Sequence, residues 1–269
     1  MDFNNTDAKR LLLSRVEDYL RRADKGELVC GNFLTPAEAA YALSFCQQNR
    51  AGERVFLFGG YSSAERQRLF VLPSFLSDFD GTPKEKLEAY FPEELRTKIR
   101  AIRIKGSSYR ALSHRDYLGS ILALGIERSS IGDIVVEDDF SAIIFCTDKI
   151  FRFLLENLDR VASDKVTAEE FLPDGNFAPK QNLDRLSLVV ASNRFDCIIG
   201  ALTGLSRERA QEIIKSGICE LDYLPELKCD KPILPPCKIS ARGYGKFNIV
   251  GFDGETKKGR LRLVADKYI

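Results

Sequence analysis

Residues 194–217 read RFDCIIGALTGLSRERAQEIIKSG and carry the clearest structural pattern of the last quarter of the chain. The apolar residues of this stretch recur at the spacing of two short amphipathic helices, with Phe195, Ile198, Ile199 and Leu202 in the first helix and Ala210, Ile213 and Ile214 in the second. The sequence Thr203-Gly204-Leu205 breaks the first helix, Ser206 caps the second, and Gly217 ends it. The stretch therefore predicts a helix–turn–helix.

The second of these helices is predicted to carry a polar face. Arg207, Gln211 and Lys215 are four residues apart, so their side chains share one exposed side of the helix. A row of two cations and an amide can follow a phosphate backbone, which makes these residues candidates for RNA contacts.

A predicted hairpin follows the two helices. Residues 218–221 alternate as a strand does, and further on glycines bracket Tyr244 between Arg242 and Lys246. Tyr244 could stack on a base, or it could be an ordinary exposed tyrosine of a turn. The two cations are predicted to contact RNA.

These residues resemble the alpha-L RNA-binding domain first described in small-subunit ribosomal protein four. The matching pattern is Arg194-Phe195-Asp196, then Ser206-Arg207-x-x-Ala210-Gln211-x-Ile213-Ile214-x-x-Gly217, then Arg242-Gly243-Tyr244-Gly245-Lys246-Phe247. The resemblance implies RNA binding by Arg194, Phe195, Ser206, Arg207, Arg209, Gln211, Lys215, Arg242 and Lys246. One departure is Glu220-Leu221-Asp222-Tyr223 in place of the family's Val-Asn-Gly turn, and this added acidity is expected to weaken or redirect the RNA contact of the hairpin.

The middle of the chain predicts a second globular unit with the order strand, helix, strand, strand, helix, strand. The predicted strands are 99–104, 133–136, 141–146 and 165–171, and the predicted helices begin at Ser113 and run over 147–158. This βαββαβ order is the ferredoxin-like arrangement, which many RNA-binding domains adopt, although a fold alone does not determine a function.

A basic run crosses the start of this unit. Between Arg96 and Arg115 the chain has seven Lys/Arg residues and no acidic one, a pattern that favours a positive potential and a phosphate partner. The alternative is a solvated surface strand. The residues of this run predicted to contact RNA are Arg103, Lys105, Arg110, His114 and Arg115. His114 is the only histidine of the chain, and a structural role at a helix cap is the alternative for it.

The overall prediction is an α+β protein of three domains. An N-terminal α+β domain spans 1–78, the ferredoxin-like domain 93–171, and the alpha-L domain 186–269. A polar stretch over 78–92 looks like a boundary, and the turn-rich residues 172–185 are predicted to be a linker. Residues 64–71 fit a strand or a short helix equally well.

Two further patterns resemble signatures of the bacterial YlmH family. They are Gly59-Gly60-Tyr61-x-x-Ala64-Glu65-Arg66 and Leu112-Ser113-His114-Arg115-Asp116-Tyr117-Leu118-Gly119, the second continuing with Gly125-Ile126-Glu127-Arg128 and Ile131-Gly132-Asp133-Ile134. With the alpha-L pattern, the resemblance spans nearly the whole chain. It implies an RNA-binding protein connected with the bacterial ribosome and with cell division. By resemblance to related small alpha-L proteins, it also implies a role on large subunits that still hold peptidyl-tRNA after stalling.

Composition sets limits on the function. The chain holds 40 Lys/Arg and 39 Asp/Glu, but residues 183–269 hold 15 Lys/Arg against 11 Asp/Glu. No apolar run is long enough for a membrane span, and residues 1–5 do not begin a signal peptide, so we predict a cytoplasmic protein. The seven cysteines form no Cys-x-x-Cys pair, which argues against a metal site. We predict no cofactor, no metal and a monomer.

Two other functions are alternatives to RNA binding without catalysis. An RNA-modifying enzyme is the first, since pseudouridine synthases and methyltransferases often carry alpha-L domains. The chain lacks a glycine-rich cofactor loop, and Arg194-Phe195-Asp196 does not continue into the Thr-x-Gly of a synthase. An adaptor that binds division proteins through its acidic N-terminal part is the second. We predict that ribosomal RNA, together with tRNA on the large subunit, is the partner.

Overall fold

The computed structural model describes residues 6–174, 176–180 and 182–268. The chain divides into two compact units, residues 1–180 and 181–269. The boundary between the units lies inside the predicted linker. Both units mix helices and antiparallel sheets, which confirms the predicted α+β class.

The first unit begins with a three-stranded sheet flanked by two helices. Its helices are α1 (Thr6–Asp24) and α2 (Pro36–Gln48), and its strands are β1 (Val29–Leu34), β2 (Val55–Phe58) and β3 (Gln67–Val71). The strand order is β1-β3-β2, and all pairs are antiparallel. Thr35 caps α2 with Pro36 at the first helical position, as the sequence predicts. The ambiguous stretch over residues 64–71 ends in a strand.

The rest of the first unit is built around a second sheet. Two short helices, α3 (Pro83–Tyr90) and α4 (Glu94–Lys98), precede β4 (Ile99–Gly106), α5 (His114–Ala123), β5 (Ile131–Asp138), β6 (Ser141–Thr147), α6 (Asp148–Asn157), β7 (Arg160–Val161) and β8 (Asp164–Phe171). The strand order is β5-β6-β4-β8-β7, with antiparallel pairs throughout. Apart from the small strand β7, this is the order of the ferredoxin-like arrangement. The predicted topology is therefore confirmed.

The polar stretch 78–92 is part of the packed unit and not an open boundary. Thr82 and Glu85 form a capping box that starts α3, and Leu87 on this helix is fully buried. Leu87 belongs to a core that includes Phe70 of the first sheet and Phe145 of the second. The polarity of this stretch reflects the exposed side of a short helix, which the sequence interpretation missed.

The two YlmH-like patterns meet at Asp133. Its carboxylate accepts hydrogen bonds from the hydroxyl of Tyr61 at 2.6 Å and from the backbone amides of Glu65 and Arg66 at 2.8 and 3.0 Å. Gly60 lies beside Phe145 at a φ of +104°, and a Cβ there would come within 2.4 Å of the ring. These residues therefore join the loop after β2 to the second sheet.

The second unit is a six-stranded antiparallel sheet packed against two helices. Its elements are β9 (Leu183–Val190), α7 (Phe195–Thr203), α8 (Arg207–Lys215), β10 (Cys219–Leu221), β11 (Leu224–Pro225), β12 (Cys237–Ala241), β13 (Gly245–Glu255) and β14 (Leu261–Tyr268), and the strand order is β11-β10-β12-β13-β14-β9. Gly204 ends α7 at a φ of +72°. The helices bury Ile198 and Ile214 against Phe247 and Leu263 of the sheet. The helix–turn–helix is as predicted, whereas the long β13–β14 hairpin was not foreseen.

Candidate nucleic-acid interface

A buried aspartate organises the start of α7 and the exposed side of α8. Asp196 is fully buried, and its carboxylate accepts two hydrogen bonds from Arg194, each at 3.1 Å. It also accepts one from Nε of Arg207 at 3.2 Å and one from Nε2 of Gln211 at 2.8 Å. Asp196, Arg194, Arg207 and Gln211 are called the Asp196 cluster below. One carboxylate thus gathers two guanidinium groups and an amide from both helices.

The carboxylate of Asp196 is held in its ionised form. Burial by itself would raise its pKa, but the hydrogen bonds from Arg194, Gln211 and Arg207 outweigh burial and keep the pKa well below its usual range. The backbone amide of Asp196 donates to the carbonyl of Cys229 at 2.9 Å, which fixes the start of the helix. The anchor is therefore rigid and permanently charged at neutral pH.

The cations of the Asp196 cluster remain open to solvent. The side chain of Arg207 is 62% exposed and that of Arg194 is 37% exposed, although both touch the buried carboxylate. Each guanidinium has five N–H donors, and Asp196 uses only one or two of them. The remaining donors can bind an anion from solution, so the cluster presents two pre-oriented arginines.

The Asp196 cluster changes the predicted row of polar side chains along α8, which consists of Arg207, Gln211 and Lys215. Arg207 and Gln211 turn towards Asp196, and only Lys215 extends freely from the helix. Lys215 is exposed and makes no ion pair within the part of the chain that the structure describes. The row thus consists of an anchored arginine and amide followed by an exposed lysine.

Three other residues of the alpha-L prediction have different roles in the structure. Phe195 is fully buried in the core of the second unit, so it supports the helix and cannot reach RNA; its assignment as a contact is wrong. The hydroxyl of Ser206 accepts from the amide of Arg209 at 3.3 Å, which makes Ser206 the N-cap of α8. Arg209 is exposed but forms an ion pair with Glu212 one turn further along.

The two cations of the hairpin region, Arg242 and Lys246, differ in their exposure to solvent. Arg242 lies exposed at the turn between β12 and β13, where RNA could reach it. Lys246 is half-buried, with its Nζ 4.9 Å from the ring centre of Tyr223 and 5.2 Å from that of Tyr268. Cation–π contacts therefore hold Lys246 against the sheet.

The acidic turn that departs from the family pattern forms hydrogen bonds with the neighbouring strand β12. Asp222 and Tyr223 both have positive φ, at 47° and 66°, as the central residues of a tight hairpin turn require. The carboxylate of Asp222 accepts from the amide of Lys238 at 2.8 Å, and Glu220 accepts from the hydroxyl of Ser240 at 2.8 Å. Both acids have structural partners, which gives this acidity a role in hairpin geometry.

The basic run over residues 96–115 is largely neutralised in space. Arg103 forms a two-pronged bond with Glu137 at 2.9 and 3.0 Å and lies over the ring of Phe171. The other ion pairs of the run are Arg100–Glu170, Lys105–Glu169, Arg110–Asp116 and Lys98–Glu94. The acids come from neighbouring strands and helices. The strong positive potential expected from the sequence is therefore mostly cancelled.

The remaining candidates of the run lie at the start of α5. Arg115 is exposed and makes no ion pair among the described residues. His114 is exposed as well, and desolvation together with the nearby Arg128 lowers its pKa. The imidazole is consequently neutral at neutral pH and can offer RNA a hydrogen bond but not a charge.

Sequence reasoning missed the role of Asp196, although it quoted the residue as part of a motif. An acidic residue within the first turn of a helix, two positions after an arginine, reads as an ordinary helix start. The signal that could have found it is the pairing of this aspartate with Arg207 and Gln211 on the next helix, which only a model of the helix–turn–helix would bring together.

Among residues 6–174, 176–180 and 182–268, no three His, Cys, Asp or Glu side chains are arranged to hold a metal ion. None of the helices in these ranges has the length and apolar character of a membrane span.

Part of the first unit is similar to a known family of domains. Residues 92–172, which cover the second sheet and its helices, match the family model described as a putative RNA-binding domain in YlmH. The chain is also 24% identical over 238 residues to the ribosome-associated protein quality control protein P2 of Bacillus subtilis, an alignment that covers 88% of this chain and 86% of that protein. Both matches support the resemblance to the YlmH family that the sequence motifs carry.

A solved structure is also similar. It is the cell division protein ylmH from Streptococcus pneumoniae, with 19% identity and a TM-score of 0.47 over 61% of this chain and 91% of that one.

Proposed function

We propose that this protein binds RNA of the large ribosomal subunit through the second unit, with the Asp196 cluster, Lys215 and Arg242 as its principal contacts. The observation that carries the proposal is the buried carboxylate of Asp196, which holds Arg194 and Arg207 with donors facing solvent. Arginines fixed in this way lose little conformational entropy when they bind a phosphate, which favours affinity. Such contacts position the module, while base edges and RNA shape supply selectivity.

Two comparisons support this function. The family model matched by residues 92–172 of the first unit is described as a putative RNA-binding domain in YlmH, and the relative from Bacillus subtilis is named as a ribosome-associated protein quality control protein. We infer a similar role here, in which the protein acts without catalysis on large subunits that carry peptidyl-tRNA after stalling. The proposal includes binding as a monomer. The link with cell division that the YlmH resemblance implies stays a prediction.

The proposal is tested by co-sedimentation with purified large ribosomal subunits over a series of salt concentrations. We expect the wild-type protein to be retained in a salt-sensitive way, and Arg207→Glu combined with Lys215→Glu to lose most of this retention. The logarithm of the binding constant should also depend less steeply on the logarithm of salt, by about 0.7–0.9 for each phosphate contact removed.

A matched control is Arg21→Glu combined with Lys25→Glu at the end of α1, which makes the same change of charge on the first unit. This variant should bind as the wild type does. Equal loss with both double variants would mean that only overall charge matters. Full retention of Arg207→Glu/Lys215→Glu would contradict the proposed site.

A further inference from the structure

The loop between β4 and α5 is fixed at both ends. The amide of Gly106 donates to the carbonyl of Phe140 at 2.7 Å, and the amide of Leu112 donates to the carbonyl of Asp139 at 2.7 Å. These bonds tie residues 106–112 to the β5–β6 turn. The loop is therefore short and anchored at both ends.

A buried carboxylate holds the first half of this loop. Asp164 is 3% exposed, and it accepts hydrogen bonds from the amide of Ser107 at 3.1 Å and from the hydroxyl of the same residue. A Cβ at Gly106 would approach Oδ2 of Asp164 to 2.8 Å, so only glycine allows the carboxylate to lie this close. The loop conformation is thus built by specific side chains.

Tyr109 projects from the tip of this loop. Its side chain is 84% exposed, the highest value among the large apolar and aromatic residues that the structure describes. The preceding residue, Ser108, has a φ of +65°, in the left-handed region that costs a non-glycine residue about 1–2 kcal/mol. The turn at Ser108 thus directly precedes the exposed ring of Tyr109.

The neighbourhood in sequence favours a nucleic acid as the partner of this ring. Arg115, at the first turn of α5, is exposed without an ion pair among the described residues, and His114 beside it is exposed too. Loop and helix lie within residues 92–172, which match the RNA-binding family model. Exposed aromatic rings beside cations bind single-stranded bases by stacking, while the cations contact the phosphates.

We propose that Tyr109 is a stacking platform for an unpaired base of the bound RNA, and that Arg115 contacts the adjacent backbone. This inference rests on the proposed function and adds a second contact region, on the first unit, that reads an unpaired nucleotide and not the phosphate backbone alone.

The affinity of Tyr109→Ala for protein-free large-subunit ribosomal RNA tests the inference. Loss of one base stack costs about 1–3 kcal/mol, which corresponds to a fall in affinity of about 5-fold to 150-fold. The salt dependence should stay the same, because stacking displaces no counterions. Tyr109→Phe keeps the ring and should retain nearly all of the affinity. Equal affinity of the wild type and Tyr109→Ala would overturn the inference.

Tyr109→Trp gives a second measurement that does not depend on affinity. The chain has no tryptophan, so this variant has a single one, at the tip of the loop. We expect the same RNA to quench its fluorescence strongly at saturation, and to leave the fluorescence of Phe75→Trp nearly unchanged, since Phe75 is 53% exposed elsewhere on the unit. An unquenched Tyr109→Trp that still binds would overturn this inference alone. Failure of the wild-type protein to bind any ribosomal RNA would instead overturn the proposed function itself.

Discussion

The Asp196 cluster and the basic run of residues 96–115 are both rich in cations, but the structure treats their charges in opposite ways. In the cluster, one acid lies buried behind the arginines and leaves part of each guanidinium facing solvent. In the basic run, the acids lie beside the cations at the surface, and Arg103 and Lys105 are each paired with a glutamate. An acid behind a cation orients it, whereas an acid beside a cation neutralises it. Only the first arrangement leaves oriented guanidinium donors open to an anion such as a phosphate.

The largest expected effect on RNA binding and stability together comes from Asp196→Asn. This change raises the net charge by one, so a purely electrostatic account predicts tighter RNA binding. We expect weaker binding instead, by roughly tenfold, because ordering each released arginine on binding costs about 0.5–1.5 kcal/mol. We also expect the free energy of unfolding to fall by about 1–3 kcal/mol as bonds to a charged acceptor weaken. RNA titration and urea unfolding measure the two effects.

Asp253→Asn is the control for this prediction. It makes the same change of charge on an exposed residue of β13, in the same unit. We expect unchanged stability and equal or slightly tighter RNA binding. If Asp196→Asn behaved like this control, the buried carboxylate would have no orienting role and the contrast between the two regions would fail.

A smaller effect is expected from Arg103→Glu combined with Lys105→Glu. These changes place like charges opposite Glu137 and Glu169, and exposed pairs of this kind contribute up to about 1 kcal/mol each. The free energy of unfolding of the first unit should therefore fall by about 1–2 kcal/mol in urea titration. Arg103→Gln with Lys105→Gln removes the attraction without adding repulsion, so its loss should be smaller. Unchanged stability in both variants would show that the pairs do not form in solution.

The smallest effect concerns pH. The pKa of His114 is lowered in the folded protein, so as pH falls through about 6.5 the unfolded chain takes up a proton before the folded chain does. Stability should therefore decrease slightly in mildly acidic solution, and His114→Gln should remove this decrease. The pKa of Asp196 is also lowered, but its stabilising effect is fully present above about pH 4 and is lost only below that. A cluster that weakened between pH 7 and 5 would contradict this assignment.

Much of the fold could be predicted from periodicity and capping. Ser113 and Ser206 cap the helices they were expected to cap, and the βαββαβ order appears in the strand order of the second sheet. The helix over residues 83–90 was missed because a short helix with one buried leucine has little apolar periodicity. The β13–β14 hairpin was missed because its pairing is interrupted by two register shifts, which break the alternation of a strand.

The candidate site was less predictable, because charge in sequence differs from charge in space. The acids that pair with Arg103 and Lys105 lie 34 and 64 positions further along the chain and meet them only when the strands align. The role of Asp196 depends in the same way on the packing of α7 against α8. Local motifs identified the helices that carry the proposed contacts, whereas the ion pairs of each cation depend on tertiary structure.

The most direct test compares two matched double variants in one experiment, the salt dependence of binding to purified large ribosomal subunits. Arg207→Glu/Lys215→Glu and Arg103→Glu/Lys105→Glu make the same change in net charge, one in the oriented region and one in the neutralised region. We expect Arg207→Glu/Lys215→Glu to lower the slope of log affinity against log salt by about 1.4–1.8, for two lost phosphate contacts. Arg103→Glu/Lys105→Glu should leave the slope as in the wild type. This expectation would be contradicted if Arg103→Glu/Lys105→Glu lowered the slope as much as Arg207→Glu/Lys215→Glu does. It would also be contradicted if Arg207→Glu/Lys215→Glu left the slope unchanged.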